Sequence, residues 1–216
     1  MTTRTRAISK VITGGKTHKW KEKEYIVAIY MARFSPSNSP IDYKVGMYNI
    51  DQCAYFLGVR PKVLQIQVDN FKYFLGKNKL ENKSPIMLEM FTKYKDYSQE
   101  RLLDLAASHI HKLWKRTIKN LNVARYIQAI GQGCFVDYYE LLEEASKNYG
   151  RKEKYIDKLP HKWNVDGRTM RVAYAAYIFW CKKEKEALTI VTESRSSRKE
   201  TPENIIKAKA RLELIQ

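Results

Sequence analysis

The sequence predicts an all-α protein in two lobes, with a helix-turn-helix-like hairpin near its N-terminus. Three observations carry that prediction. Apolar residues recur at helical spacing through most of the chain, as they must where each helix buries one face. Caps, first-turn prolines and glycines mark helix starts and stops, and almost nothing shows the alternation that a half-buried strand requires. With 44% hydrophobic residues, the chain has the means to bury an ordinary core.

Residues 1–18 hold Arg4, Arg6, Lys10 and Lys16 beside Gly14 and Gly15, with no acid. That is the composition of a flexible basic arm, suited to following a phosphate backbone or entering a minor groove. A helix begins near Lys19 on the apolar positions Trp20, Val27, Tyr30, Met31 and Phe34. Ser35, Pro36, Ser37, Asn38, Ser39 and Pro40 end it, and residues 41–49 read as a loop.

Residues 50–75, the stretch on which the first lobe turns, read as a short helix, a turn and a longer helix. Ala54, Leu57 and Gly58 supply a small contact residue, an apolar anchor and a turn glycine. Pro61 suits the first position of the second helix, where its missing N–H has no partner to lose. Projected at about 100° per residue, this helix sets Val63, Leu64, Val68, Phe71, Phe74 and Leu75 on one side. Lys62, Gln65, Asp69 and Lys72 fall on the other, and are expected to face a major groove. There Gln65 can pair with adenine and Asp69 can accept from cytosine, while Arg60, Lys72, Lys77 and Lys79 hold the backbone.

Trp20, residues 25–30, Leu57 with Gly58, Pro61, Leu64, Val68, and Asn70 with Phe71 together resemble a known module. It is the N-terminal helical module that precedes HNH nuclease domains in some restriction-endonuclease-like proteins, where a leucine-glycine turn leads into a helix ending in Asn-Phe. The resemblance covers residues 19–98, under half the chain. It implies a DNA-binding lobe with links to restriction, phage defence or mobile elements. No HNH motif follows in this sequence, so the family's nuclease activity is not implied.

A polar basic loop over 77–85 and a short helix over 86–94 lead to Ser98, which has the side chain of an N-cap. The helix it starts, 99–121, carries an apolar stripe of Leu102, Ala106, Ile110, Leu113, Trp114, Thr117 and Leu121. Lys112, Lys115, Arg116 and Lys119 fall within an arc of about 100° on the opposite side. No acid occurs between Asp104 and Asp137. The helix dipole accounts for part of that bias, and the stripe is expected to extend the phosphate footprint. This basic helix connects the 19–98 lobe to a helical lobe over 122–216.

In the second lobe Gly131 and Gly133 make a break before an amphipathic helix over 134–149, and a short helix follows over 151–159. Asp166 is expected to cap a strongly apolar helix through Met170, Ala173, Tyr174, Tyr177, Ile178 and Cys181, running on to Val191. After a polar linker over 194–200, Thr201, Pro202 and Glu203 start a last helix over 205–215.

Forty Lys and Arg against 23 Asp and Glu give a formal charge of +17. Such an excess repels itself in a compact fold and is most simply explained by a polyanionic partner, nucleic acid first. The longest apolar stretch, 172–181, is too short to cross a bilayer, and the basic N-terminus has no apolar run behind it. The expectation is a soluble, cytoplasmic protein, nucleoid-associated when bound to DNA, with no membrane partner. Cys53, Cys134 and Cys181 are odd in number, far apart and in apolar contexts, as buried reduced thiols are.

Familiar catalytic chemistry is absent from the pattern. His18, His109, His111 and His161 are scattered and complete no zinc set. Asp69 with Glu81, Asn82 and Lys83 has the letters of a carboxylate-metal nuclease, without the adjoining strands that would hold the ion. Asp137, Glu140, Glu143 and Glu144 form an acidic face expected to pair with neighbouring lysines. There is no phosphate-binding glycine loop and no nucleophile elbow, so no cofactor is expected. Tyr73, Tyr94 and Tyr97, flanked by lysines, are the rings placed to stack on bases, whereas Tyr174 and Tyr177 read as core. These features describe a non-enzymatic binder of double-stranded DNA. The alternatives are a Mg-dependent restriction-type endonuclease with an unrecognised metal site, and an adaptor whose C-terminal half binds a protein partner.

Overall fold

Nine successive buried residues, Glu24 through Ala32, mark the helix around which the first half of the chain is built. A helix that is apolar on all sides has to lie inside. The structure, a computed structural model, describes residues 18–35, 42–77, 84–193 and 202–215. The basic arm up to residue 17, the 36–41 segment, Lys79, the tripeptide 81–83, the linker 194–200 and the Thr201 cap lie outside the described residues. Those described form twelve α-helices and a single two-stranded sheet, an all-α fold. The chain divides between Thr117 and Ile118 into two compact units.

In the first unit, α1 (Glu22–Phe34) packs against α3 (Pro61–Phe74) and α4 (Pro85–Tyr94). Val27, Ala28, Ile29 and Met31 meet a core completed by Leu64, Val68 and Phe71, all fully buried. Buried Glu24 is satisfied by the Lys21 backbone N–H and by His18 Nε2, each at 2.9 Å. The stretch 41–49, which reads as a loop, holds a small hairpin instead. Its strands β1 (Lys44–Val45) and β2 (Tyr48–Asn49) pair Lys44 with Asn49 and Val45 with Tyr48, around Gly46 at φ 57°. Strands of two residues are too short for alternation to show in a sequence.

Asn49 then caps α2 (Ile50–Leu57) through a capping box: Gln52 N–H donates to Asn49 Oδ1 at 2.9 Å, and Asn49 N–H to Gln52 Oε1 at 3.0 Å. Ser98 caps α5 (Gln99–Asn120), its Oγ accepting from Arg101 N–H at 3.2 Å. Leu102, Ala106 and Ile110 of α5 are fully buried.

The second unit is centred on α10 (Val165–Trp180), which packs against α6 (Val123–Ile130), α8 (Tyr139–Lys147) and α9 (Glu153–Ile156). Val172, Ala175, Ala176 and Ile178 are fully buried, and Trp180 Nε1 donates to the Ser146 carbonyl at 2.9 Å. Three expectations change here. The helix over 134–149 is divided at Tyr138 into α7 (Gln132–Asp137) and α8. Asn164, not Asp166, caps α10, accepting from Gly167 N–H at 2.7 Å. The apolar helix also does not run on to Val191: it stops at Cys181, Lys182 takes a left-handed φ of 53°, and α11 (Glu184–Glu193) starts afresh. Periodicity misses that stop because Ala187, Leu188 and Val191 are buried on the new helix just as they would be on a continuous one. The last helix, α12 (Pro202–Leu214), packs on α11 and α7. Cys53, Cys134 and Cys181 are buried free thiols.

Candidate nucleic-acid interface

The turn between α2 and α3 is a Schellman motif. Val59 N–H donates to the Ala54 carbonyl at 2.9 Å and Gly58 N–H to that of Tyr55 at 3.0 Å. A side-chain carbon added at Gly58 would meet nothing within 4 Å, so glycine is required by its φ of 71° and not by space. Buried Val59 pins the turn, and Pro61 opens α3 at its first position. Arg60 and Lys62 are thereby exposed at the positive end of a helix, where the free N–H groups add to their charge and favour phosphate.

Gln65 is half-buried beside them, and Ile66 is 49% exposed. Sequence reasoning misses Ile66, whose apolar side chain reads as core. Its position about 40° from Lys62 in helical projection is the signal that places it outside. An exposed aliphatic group next to Gln65 can contact a thymine methyl.

Asp69 and Lys72 differ from expectation, because both are tied to Tyr43. Lys72 is buried, 6% exposed, and its Nζ donates to the Tyr43 hydroxyl at 2.7 Å. That hydroxyl donates to Asp69 Oδ1 at 3.2 Å. Burial pushes the Lys72 ammonium below the usual lysine range, with Asp69 opposing. Burial, reinforced by Asp69, pushes Tyr43 up to about 12. The chain of hydrogen bonds makes Lys72 an internal tie and leaves it no reach toward solvent. Beyond Gly76, Lys77 is exposed; Lys79 lies outside the described residues.

On α5, Lys112, Lys115, Arg116 and Lys119 are all exposed, the first three in the first unit and Lys119 past its boundary. Among the described residues, Arg60, Lys62, Lys77, Lys112, Lys115 and Lys119 form no ion pair. Four acids are committed to other bases: Glu22 to Lys93 at 2.6 Å, Asp137 to Lys207 at 2.8 Å, Glu143 to Lys147 at 2.8 Å, and Glu140 to Arg211.

Of the rings expected to stack, Tyr94 is buried and its hydroxyl donates to Glu22. Tyr73 is half-buried against Phe74, at 5.7 Å between ring centroids. Tyr97 is half-buried beneath Arg101. Tyr177 is buried, as its spacing suggests, and Tyr174 half-buried.

Among the described residues no three His, Cys, Asp or Glu side chains are grouped to hold a metal ion. Asp69 lies in helix α3, and its partner tripeptide is outside the described residues. On the acidic face of α7 and α8, Glu143 pairs with its neighbour Lys147 as expected, while Asp137 and Glu140 are met by Lys207 and Arg211 of α12, bases too distant in sequence for local spacing to reveal. His111 Nδ1 bonds the Tyr48 hydroxyl at 3.0 Å, and His109 is held below its ordinary range by burial. No helix among the described residues is long and apolar enough to cross a membrane. No family model, curated protein or solved structure matches the chain.

Proposed function

We propose that this chain is a non-enzymatic DNA-binding protein that docks its first unit on duplex DNA, with α3 presented to the major groove. One observation carries the reading: Arg60, Lys62, Lys112 and Lys115 are exposed helix-borne cations with no acid partner among the described residues, in a chain of charge +17. Uncompensated cations held on rigid elements are what phosphate neutralisation needs.

The hairpin geometry supports assigning base contact to the start of α3. Recognition helices read bases with their N-terminal residues, and Arg60, Lys62, Gln65 and Ile66 occupy that end. Asp69 and Lys72, farther along and bound to Tyr43, are left out of the footprint.

Fluorescence-anisotropy titration separates base reading from backbone holding, after selection of a preferred site from random duplex. Gln65→Ala costs about 1–3 kcal/mol on the preferred site and leaves random duplex unchanged. Equal losses on both would reduce α2 and α3 to a packed hairpin. Failure of the protein to hold duplex at all would refute the function.

A further inference from the structure

Within the first unit, α1, the end of α4 and the first half of α5 surround an open cleft of about 460 Å³. That is the size range of small-ligand sites, and of its lining the duplex reading uses Lys112 alone. We propose that this cleft binds a nucleoside phosphate, either free or as the phosphorylated 5′ end of an unpaired strand.

One wall is aromatic and cationic. Tyr94 and Tyr97 meet edge to face at 5.1 Å between centroids, and Arg101 Cζ lies 3.9 Å from the Tyr97 ring centre. An arginine braced on a ring offers its outer face to a base, since unpaired bases stack on guanidinium planes as well as on aromatic rings.

The charge inventory points to an anion. Lys23, Arg101 and Lys112 line the cleft and pair with no acid among the described residues. Glu22 also lines it, but its carboxylate is engaged by Lys93 and the Tyr94 hydroxyl. That leaves Asp104 as the lining carboxylate without a bonded cation among the described residues. It stands one turn from Arg101, where an acceptor for ribose hydroxyls or a base amino group is of use. Ser108 supplies a hydroxyl, and His109 Nε2 is buried with no hydrogen-bond partner. Two lysines for the phosphate, a stacked arginine for the base and a carboxylate for the sugar edge are complementary to one nucleotide unit.

The test is calorimetric titration of the full chain with adenosine 5′-monophosphate, adenosine and inorganic phosphate, and with a short single strand carrying or lacking a 5′-phosphate. Saturable binding of the monophosphate, tighter than adenosine or phosphate alone, supports a free ligand. Preference for the phosphorylated strand supports the strand end. Arg101→Gln weakens whichever binds by about fivefold or more, the cost of losing one stacking contact, and leaves duplex affinity unchanged, while Lys62→Ala does the reverse. That reversal keeps the cleft and the duplex reading separable. No saturable binding of any probe overturns the proposal, as does phosphate binding as tightly as the monophosphate, or Arg101→Gln and Lys62→Ala weakening every probe alike.

Discussion

Lys72→Ala distinguishes a surface clamp from an internal tie. The ammonium donates to the Tyr43 hydroxyl at 2.7 Å and lies 4.5 Å from that ring's centre, in a side chain only 6% exposed. A hydrogen bond to a charged group contributes about 1.5–3 kcal/mol, and truncation also loses the packing of the buried stem. Release of the ammonium from a desolvated position offsets part of this. The net loss expected is about 1–3 kcal/mol. For a unit of this size each kcal/mol lowers the melting temperature by about 4–8 °C, so a fall of at least about 4 °C is expected. Thermal unfolding followed by tryptophan fluorescence reads it, with Trp20 and Trp114 reporting on the first unit and Trp163 and Trp180 on the second. Tyr43→Phe removes the same hydroxyl and gives a similar loss. The double variant loses less than the two singles added, because they break one network. Unchanged stability with a weakened, less salt-dependent grip on DNA would refute the reasoning and return Lys72 to the interface.

Two further outcomes follow from the fold. Gly58→Ala destabilises the first unit by about 1–2 kcal/mol, the cost of a left-handed alanine; because open space surrounds the position, a larger loss in urea unfolding would show that something other than φ is at stake. His109, held neutral by burial with Glu24 opposing and nearby lysines assisting, has a folded pKa below its unfolded value of about 6.5. Its contribution is therefore complete above pH 6.5 and is lost as pH falls through the folded value. The urea midpoint should drop as pH falls below about 6.5, and His109→Gln should flatten that drop; an identical pH profile for the variant would exclude His109 as the cause.

Local signals were the legible part of this fold. Ser98 and the apolar period over 99–121 anticipate α5 within a residue, and Gly58 and Pro61 mark the turn because each has a backbone reason to stand there. What sequence hid was decided at a distance. Tyr43 lies 26 residues from Asp69 and 29 from Lys72, so a projection of α3 alone leaves both facing outward. The Tyr94 hydroxyl is bonded to Glu22, 72 residues away. The cleft is likewise assembled from α1, α4 and α5, none of which carries a motif for it. The centre of the first unit, α1, was understated in sequence because apolar residues on every face produce little helical period.

The central claim is that the unpaired cations of the first unit neutralise phosphates, and the salt dependence of duplex binding tests it most directly. If Arg60, Lys62, Lys77, Lys112 and Lys115 each release a counterion, log K against log salt has a slope of about −4 to −5. Lys115→Ala reduces that slope by about one while weakening all sequences alike. A flat salt response, or a slope that Lys115→Ala leaves untouched, would contradict the account.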